Sequence, residues 1–220
     1  MVTVLFKGLP MRIGLITDIH NHAAELAVAL ACFEQRGVDR VLTLGDTCDS
    51  LGSGEEAAQV AALLDACGAM GVWGNHDYGL CREVHPRARE RYPAIVFEVM
   101  ARMHPRLMIG EYHFSHRESP IDPLEITQLW ELGEDSRGPD GLFRLAGRAF
   151  SAVDSRLQFV GHYHQWWAAT PEGPLDWTGD RTLRFDPTSR YFVVVGPVFA
   201  GWCRVLDTDD GTLEPLRCLA

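Results

Sequence analysis

Long apolar runs in the first third of the chain alternate with stretches rich in alanine and leucine. Residues 11–17, 38–44 and 69–73 are nearly continuous apolar runs, which is typical of strands buried on both faces of a sheet. Residues 23–33 and 55–67 are good helix formers, and each stretch is followed by a glycine that can end a helix. The order strand, helix, strand, helix, strand predicts a parallel sheet with right-handed crossovers.

The remainder of the chain predicts two more helices and a second, β-rich half. Residues 78–93 are rich in charge and predict a loop, whereas residues 94–103 and 141–152 predict helices. Shorter apolar runs predict strands at 107–109, 111–115, 157–160, 181–185, 191–195 and 201–206. We expect these strands to form a second sheet that packs on the first.

One domain is expected from residue 11 to residue 220, preceded by a short extension at residues 1–10. The extension is too short and too weakly patterned for a signal peptide. Residues 117–140 carry three prolines, two glycines and one short predicted helix near residues 124–132. A segment of this kind inside a compact domain is typical of a lid or a mobile insert.

Composition narrows the range of partners. The 220 residues carry a formal net charge of −10, and 46% of them are hydrophobic, as in an ordinary soluble globular protein. An acidic chain without a basic stripe is a poor partner for long nucleic acid or for an anionic membrane. The six cysteines are scattered without a C-x-x-C pair, which predicts reduced thiols and a cytoplasmic location. No apolar run approaches the length of a membrane-spanning helix.

Polar side chains that can bind metal follow five of the predicted strands. Because open α/β sheets place their ligands at the carboxyl ends of strands, we expect these side chains to meet at one edge. Imidazole, carboxylate and amide oxygen together suit divalent Mn, Fe, Zn or Ni. The set is too large for one ion, so two ions sharing a bridging carboxylate are expected. In chain order the residues are Asp18, His20, Asp46, Asn75, His76, His116, His162 and His164.

The same residues resemble the motif blocks of the calcineurin-like metallophosphoesterase superfamily. The resemblance implies an α/β fold, a four-layer α-β-β-α sandwich of two mixed β-sheets flanked by helices, with a dinuclear metal site between loops. Five blocks occur in the family's order over residues 12–164. They are Asp18-x-His20, Gly45-Asp46, Gly74-Asn75-His76-Asp77, His116 and Gly161-His162-x-His164.

The resemblance also implies a role for each residue of these blocks. The first metal would be held by Asp18, His20 and His164, the second by Asn75, His116 and His162, with Asp46 bridging both. His76 would bind no metal, and would stabilise the transition state or protonate the leaving oxygen. Asp77 would orient His76.

Several positions depart from the family's usual pattern. After Asp46 the chain has Asp49-Ser50-Leu51 in place of the Asp-Arg-Gly run of the protein Ser/Thr phosphatases, which favours the small bacterial-type phosphodiesterases and nucleotide phosphatases. Arg117 replaces a frequent glycine after His116, and its fork of donors could bind a substrate phosphate. Tyr163 stands where the family usually has Thr or Ser, and either reaches the site or packs beside it.

Three further residues have two interpretations each. His22, close to His20 in the chain, is a candidate substrate contact or an ordinary surface histidine. Asp49 is either a partner of a site histidine or a turn residue. The pair Trp166-Trp167 is either a platform for stacking a base or a part of the core.

The leading hypothesis is a dinuclear-metal-dependent phosphoesterase that hydrolyses a small phosphomonoester or phosphodiester, including a nucleotide. Two ions would lower the pKa of a bridging water towards ~7, so that a metal-bridging hydroxide attacks phosphorus in line. The alternatives are a non-catalytic protein-interaction scaffold of the same fold, and a nuclease. A scaffold has no use for a non-ligand imidazole such as His76, and the acidic charge opposes a nuclease that acts on long nucleic acid.

Overall fold

The computed structural model describes residues 2–4, 10–49, 51–131 and 138–218. The strands are β1 (Val2–Val4), β2 (Arg12–Ile16), β3 (Arg40–Leu44), β4 (Met70–Val72), β5 (Met103–His104), β6 (Leu107–Ile109), β7 (Tyr112–Ser115), β8 (Leu157–Val160), β9 (Trp167–Thr170), β10 (Gly173–Pro174), β11 (Leu183–Arg184), β12 (Tyr191–Val194), β13 (Trp202–Asp207) and β14 (Thr212–Arg217). The helices are α1 (Ala23–Gln35), α2 (Gly54–Ala66), α3 (Tyr78–Cys81), α4 (Pro86–Arg91), α5 (Ala94–Met100), α6 (Ile126–Trp130) and α7 (Gly138–Ala152), and a 3-10 turn covers Val198–Ala200.

The strands form two mixed sheets of seven strands each. The first sheet has the order β11-β14-β13-β2-β3-β4-β5, in which β2 to β5 are parallel and β13 is antiparallel to β2. The second sheet has the order β1-β6-β7-β8-β12-β9-β10, with β7, β8 and β12 parallel. The register in the first sheet pairs Leu15 with Leu42 and Thr43 with Gly71, so the ends of these parallel strands lie at one edge.

Three buried clusters stack the elements into four layers. Leu15 and Leu44 of the first sheet meet Phe114 and Phe159 of the second sheet in a cluster between the sheets. The outer face of the first sheet packs against α1, α2 and α5, and the outer face of the second packs against α7. The predicted α-β-β-α sandwich of two mixed sheets is therefore confirmed.

Helix α2 shows how local sequence sets an element that supports the site. Ser53 lies at its N-cap, and the Ser53 hydroxyl accepts a hydrogen bond from the Glu55 backbone N–H at 3.2 Å. Two glutamates in the first turn face the positive end of the helix dipole. Gly68 follows the helix end with a φ of +63°, a conformation that glycine adopts without steric cost.

The predicted loop over residues 78–93 is wrong, because it contains α3 and α4. Pro86 occupies the first turn of α4, where a missing N–H costs nothing, and the His85 Nδ1 atom accepts from the Arg87 N–H at 3.2 Å. The helix predicted over residues 94–103 is too long. It ends at Met100, and Met103–His104 instead adds β5 to the first sheet beside β4.

Strands β9, β10 and β14 were not predicted, and the strands expected at 181–185 and 201–206 in the second sheet instead lie in the first sheet, as β11 and β13. Strand β14 contains Pro215, which has no N–H for a ladder hydrogen bond. The short strand β11 pairs only with Thr212 and Leu213, so Pro215 lies beyond the reach of that neighbour. Strand β14 therefore accommodates a proline although it lies between two strands.

The predicted extension and insert each contain regular structure. Residues Val2–Val4 form β1, which pairs in parallel with Leu107–Ile109 at the edge of the second sheet. Residues 117–131 carry α6, while 132–137 of the predicted insert lie outside the described residues. In the described ranges, none of the helices combines the length and the apolar character needed to cross a membrane.

Candidate metal centre

Loops from both sheets meet at one edge of the sandwich. Asp18, Asp46 and Asn75 follow β2, β3 and β4 of the first sheet, and His116 and His162 follow β7 and β8 of the second. The five strands are parallel within each sheet, so their carboxyl ends present these side chains to a common space. Every motif block recognised in the sequence therefore contributes to a single site.

The backbone at the site is held in an uncommon conformation. Asp18, His20, Asp46, His162 and His164 have φ values between +47° and +68°, in the left-handed region that non-glycine residues rarely adopt. Each such residue costs of order 1–3 kcal/mol and persists only where its surroundings hold it. The Asp18 N–H donates to the Gly45 carbonyl at 3.0 Å, and the His20 N–H donates to the Asp46 carbonyl at 3.0 Å. The strain is thus concentrated at the residues that point their donors into the site.

Four donors form what we call the exposed half-site, made of Asp18, His20 and His164 together with the shared Asp46. Their donor atoms all lie within 4.8 Å of one another. The His164 Nε2 atom is 3.4 Å from an Asp18 oxygen, and the His20 Nε2 atom is 3.7 Å from an Asp46 oxygen. The hydrogen bond with Asp18 raises the pKa of His164, whereas burial lowers the pKa of His20.

Asp46 also belongs to the buried half-site, which it forms with Asn75, His116 and His162. The Asn75 side-chain oxygen is 3.0 Å from both His116 Nε2 and His162 Nδ1, and His116 Nε2 is 3.2 Å from an Asp46 oxygen. The other His116 nitrogen, Nδ1, lies 2.8 Å from the Leu44 carbonyl, which fixes the orientation of the ring. Burial lowers the pKa of His116, but the facing Asp46 carboxylate outweighs it and raises the pKa to about 9.

The chemistry of these donors fits divalent cations. The Nε2 atoms of His20 and His162 are buried, and neither has a hydrogen-bond partner among the described residues. Burial lowers the pKa of His162, which keeps its ring neutral and its lone pair available. Buried polar atoms are normally paired, so unpaired nitrogens beside two buried carboxylates are what a metal site requires. Each half-site therefore offers donors suited to a first-row divalent metal.

His76 lies at the edge of the exposed half-site. Its ring centroid is 4.6 Å from that of His20 in an edge-to-face arrangement, and its backbone N–H donates to Asp46 at 2.9 Å. The His76 Nδ1 atom is 3.2 Å from an Asp49 oxygen. Asp49 is therefore the partner of a site histidine, and the turn it forms through Leu51 N–H, at 2.9 Å, holds it in place.

The predicted contact between Asp77 and His76 is wrong. The buried Asp77 carboxylate accepts backbone N–H bonds from Thr47 at 3.1 Å, Cys48 at 2.8 Å and Gly74 at 3.0 Å. Asp77 therefore ties the loop after β3 to the loop after β4, and it positions Asp46 and Asn75 rather than the histidine beside it. The contact expected of Asp77 is made by Asp49.

Arg117 and Tyr163 lie behind the buried half-site. Arg117 is buried, and its Nη1 atom donates to the backbone carbonyls of Gln128, at 2.7 Å, and Glu131 at the end of α6. The Tyr163 hydroxyl donates to the buried Glu118, with its ring packed on His162 at a centroid distance of 5.2 Å. Tyr163 therefore packs beside the site, and Arg117 anchors α6. A contact between Arg117 and a substrate phosphate stays a prediction.

Two aromatic residues that sequence reasoning missed line the open side of the site. The ring of Trp130, at the end of α6, is 4.6 Å from that of His76, and Trp130 is 45% exposed. Phe199, in the 3-10 turn, faces His164 at 5.0 Å and His22 at 5.9 Å. The polar context of the insert could have singled out Trp130, but nothing local marked Phe199.

The structure also gives positions for His22 and for the pair Trp166-Trp167, each of which had two interpretations. His22 lies at the start of α1, half exposed, with its Nδ1 atom 3.5 Å from Glu25. Its role as a substrate contact stays a prediction. Trp166 and Trp167 are both buried, Trp166 between the sheets and Trp167 against α7, so they belong to the core.

Comparison with known proteins gives a family for the chain. A model of the calcineurin-like phosphoesterase superfamily domain matches residues 11–187. An uncharacterized protein of Methanocaldococcus jannaschii is 32% identical over 68 residues, which is 31% of this chain and only 27% of that protein. A metallophosphoesterase crystal structure from Sphaerobacter thermophilus matches with a TM-score of 0.72 and 21% identity, over 96% of this chain and 89% of that one. A hypothetical protein from Pyrococcus horikoshii OT3 matches with a TM-score of 0.57 and 11% identity, over 97% and 88% of the two chains.

Proposed function

This chain belongs to the calcineurin-like phosphoesterase superfamily, whose members use divalent metal ions, and we propose that it hydrolyses a small phosphomonoester or phosphodiester at a two-metal centre. The observation that carries the proposal is the position of Asp46. Its carboxylate belongs to both groups of donors, one with Asp18, His20 and His164 and the other with His116 and His162. A carboxylate shared between two donor sets is the arrangement that holds two ions close together.

The two ions would neutralise phosphate charge and lower the pKa of a water nucleophile. Asp18, His20, Asp46 and His164 would hold the first, and Asp46 would join Asn75, His116 and His162 in holding the second. Mn, Fe, Zn and Ni all suit this mixture of nitrogen and oxygen donors.

His76 would supply a proton donor for the leaving oxygen, which the metal ligands cannot provide. Asp49 engages the Nδ1 atom, which leaves Nε2 as the nitrogen that can give a proton or a hydrogen bond to the leaving oxygen. Asp49 would fix the orientation and the tautomer of the ring. Asp77 would act at a distance, by holding the two loops that carry Asp46 and Asn75.

The residues on the open side of the site favour a small substrate. Trp130 and Phe199 flank the exposed half-site with apolar surface, and the segment that carries Trp130 is fastened by the buried Arg117. A small organic group attached to the phosphate, such as a nucleoside, would contact this surface. The lid role of residues 117–140 and a preference for nucleotides are parts of this proposal.

A substrate panel assayed with each of several metals tests the proposal. It comprises bis-p-nitrophenyl phosphate, p-nitrophenyl phosphate, cyclic nucleotides and nucleoside phosphates, each with Mn, Fe, Ni or Zn. We expect metal-dependent turnover that Asp46→Asn removes and that Asp65→Asn leaves intact, since the Asp65 carboxylate lies outside the site in an exposed ion pair with Arg102. Metal binding without turnover on any substrate would favour the scaffold, and turnover of long nucleic acid alone would favour the nuclease.

A further inference from the structure

Three cysteines that are far apart in the sequence meet on the outer face of the first sheet. The Sγ atoms of Cys203 and Cys218 are 2.7 Å apart, and the Cys218 Sγ atom is 3.1 Å from that of Cys32. All six cysteines of the chain are free thiols, and these three form the thiol cluster. None of the three belongs to the donor sets of the metal centre.

Strand register brings the closest pair together. Strands β13 and β14 are antiparallel, with Cys203 opposite Leu216, and Cys218 lies two residues further along the same face. The Cys218 N–H donates to the Gly201 carbonyl at 2.8 Å, which continues the ladder past the last paired residues. The two residues are diagonal neighbours rather than directly opposite, but their Sγ atoms, 2.7 Å apart, need only a small movement to reach the S–S bond length of about 2.05 Å.

Among the three described cysteines of the cluster, Cys32 is the one that reaches solvent. Cys203 and Cys218 are buried, whereas Cys32 on α1 is only partly buried and covers Cys218. Burial protects Cys203 and Cys218 from bulky reagents. We therefore expect a small reactant to reach the cluster from the side of Cys32.

Hydrogen bonds within the cluster, with help from nearby charges, activate one of the three thiols. The hydrogen bond with Cys203 lowers the pKa of Cys218 to about 6, helped by the contact with Cys32 and by the charges of Arg204 and Arg36. Hydrogen bonding to Cys218 and burial raise the pKa of Cys203. The cluster therefore pairs a thiolate with a protonated thiol, which is the combination that thiol oxidation uses.

We propose that the thiol cluster is an oxidation site at which hydrogen peroxide joins Cys203 and Cys218 in a reversible disulfide. The Cys218 thiolate attacks one peroxide oxygen, the O–O bond breaks, and hydroxide leaves and takes up a proton to become water. The Cys203 sulfur then attacks the sulfur of the sulfenic acid on Cys218, and the departing hydroxide combines with the Cys203 proton to form a second water. Two thiols are oxidised, one peroxide is reduced, and a dithiol reductant reverses the change.

A metal site is the competing interpretation of three neighbouring thiols. Sulfurs bound to one tetrahedral zinc, with Zn–S bonds of about 2.3 Å, are separated by roughly 3.7 Å. The separations of 2.7 Å and 3.1 Å in the cluster are both shorter. The geometry therefore favours a bond between two sulfurs over a shared ion.

Peptide mapping of the intact, metal-loaded protein tests the proposal without any substitution. Trypsin places the three cysteines on separate peptides, 13–36, 191–204 and 218–220, because an arginine ends or precedes each one. After mild hydrogen peroxide and alkylation, we expect 191–204 joined to 218–220 and the number of free thiols reduced from six to four. Dithiothreitol should restore all six.

Two variants and a pH series sharpen the test. Cys218→Ser should lose no thiols at the same dose, whereas Cys67→Ser, at an exposed cysteine outside the cluster, should still lose two. The rate of oxidation should rise through pH about 6 and then level off, because the reactive thiolate is complete above its pKa.

Three results would each overturn the proposal. The first is oxidation at Cys67 while peptides 191–204 and 218–220 stay separate. The second is a disulfide between Cys32 and Cys218 in place of the proposed pair. The third is a thiolate-to-metal charge-transfer band with Cd²⁺ that Cys32→Ser removes, in protein that forms no disulfide with peroxide.

Discussion

The two half-sites share Asp46 but differ in how their other residues are held. In the buried half-site the His116 side chain is 1% exposed, and both of its ring nitrogens lie within 3.0 Å of oxygen acceptors, those of Leu44 and Asn75. In the exposed half-site the His164 side chain is 44% exposed, and its nearest carboxylate contact is 3.4 Å. In the buried half-site, contacts within the fold fix the orientation of the side chains, whereas the exposed half-site is open to solvent.

The residues that surround the two half-sites also differ in their access to a substrate. His76, Trp130 and Phe199 all lie around the exposed half-site, while the buried half-site is backed by Arg117, Glu118 and Tyr163. Groups that can touch a substrate are therefore collected on one side only. On the proposed function, we expect the buried half-site mainly to hold a metal in place and the exposed half-site to carry the chemistry.

Asp46→Ala gives the largest expected effect, because it removes the one residue that both halves use. Both metals should be lost, and activity should fall by at least about 10³-fold, since nucleophile activation and charge stabilisation disappear together. Metal analysis after Mn reconstitution, compared with wild-type protein and with Asp65→Ala, measures the stoichiometry. Retention of one full equivalent of metal would show that the halves are independent and that Asp46 does not bridge.

His116→Ala and His164→Ala compare the halves directly. Truncating the buried His116 removes its bonds to Leu44 and Asn75, so we expect a loss of about 1–3 kcal/mol in the free energy of unfolding of metal-free protein. Truncating the exposed His164 should change that stability by less than about 0.5 kcal/mol. Each variant should weaken one metal equivalent. Chemical denaturation with chelator and metal titration separate the two quantities, and equal stability losses would contradict the comparison.

The convergence of the candidate metal-binding residues was predictable because it follows from topology. Parallel strands with right-handed crossovers put Asp18, Asp46 and Asn75 at one edge, whatever their exact distances. The strands of the second half of the chain were less predictable. Strand β9 begins at Trp167 and β14 contains Pro215, and neither has the alternating apolar pattern that marks a half-buried strand.

Side-chain partners were harder to predict than strand ends. Asp77 follows His76 in the chain, which suggested a contact, but the Asp77 carboxylate accepts N–H bonds from Gly74 and the loop after β3. Asp49, which lies 27 residues before His76, makes the contact instead. Adjacency in sequence gives little information on contacts within a tight loop, because neighbouring side chains point in different directions.

His76→Ala tests whether the exposed half-site carries the chemistry. A group that acts on the leaving oxygen contributes only in the transition state, so kcat should fall by ~10²–10⁴-fold on a diester with a poor leaving group. The loss should be smaller on a nitrophenyl ester, whose leaving group needs no proton. KM and metal content should stay near those of the wild-type protein. Full activity, or loss of metal, would remove His76 from the role proposed here.

Asp49→Asn and Asp77→Asn separate the two carboxylates near His76. The Asp49 change should lower kcat by roughly 10-fold and shift the pH profile of kcat, since Asp49 contacts His76 Nδ1, with little change in stability. The Asp77 change should lower the free energy of unfolding by about 1–3 kcal/mol, because an amide cannot accept all three N–H bonds. Kinetics and denaturation on the same preparations decide the assignment. If only Asp77→Asn altered kcat and its pH profile, then Asp77, and not Asp49, would be the residue that orients His76.

Trp130→Ala has the smallest expected effect and tests the outer wall of the exposed half-site. An aromatic contact contributes about 0.5–1.5 kcal/mol beyond simple burial, so KM for a nucleoside phosphate should rise about 2- to 10-fold. Substrates without an aromatic group should be unaffected, and kcat and metal content should not change. Leu124→Ala is the matched control, because Leu124 is also an exposed apolar residue in the same segment, at 41% exposure. If Trp130→Ala raised KM equally for all substrates, the segment would shape the site without selecting the group attached to the phosphate. If kcat fell instead, Trp130 would be positioning His76, whose ring it contacts at 4.6 Å.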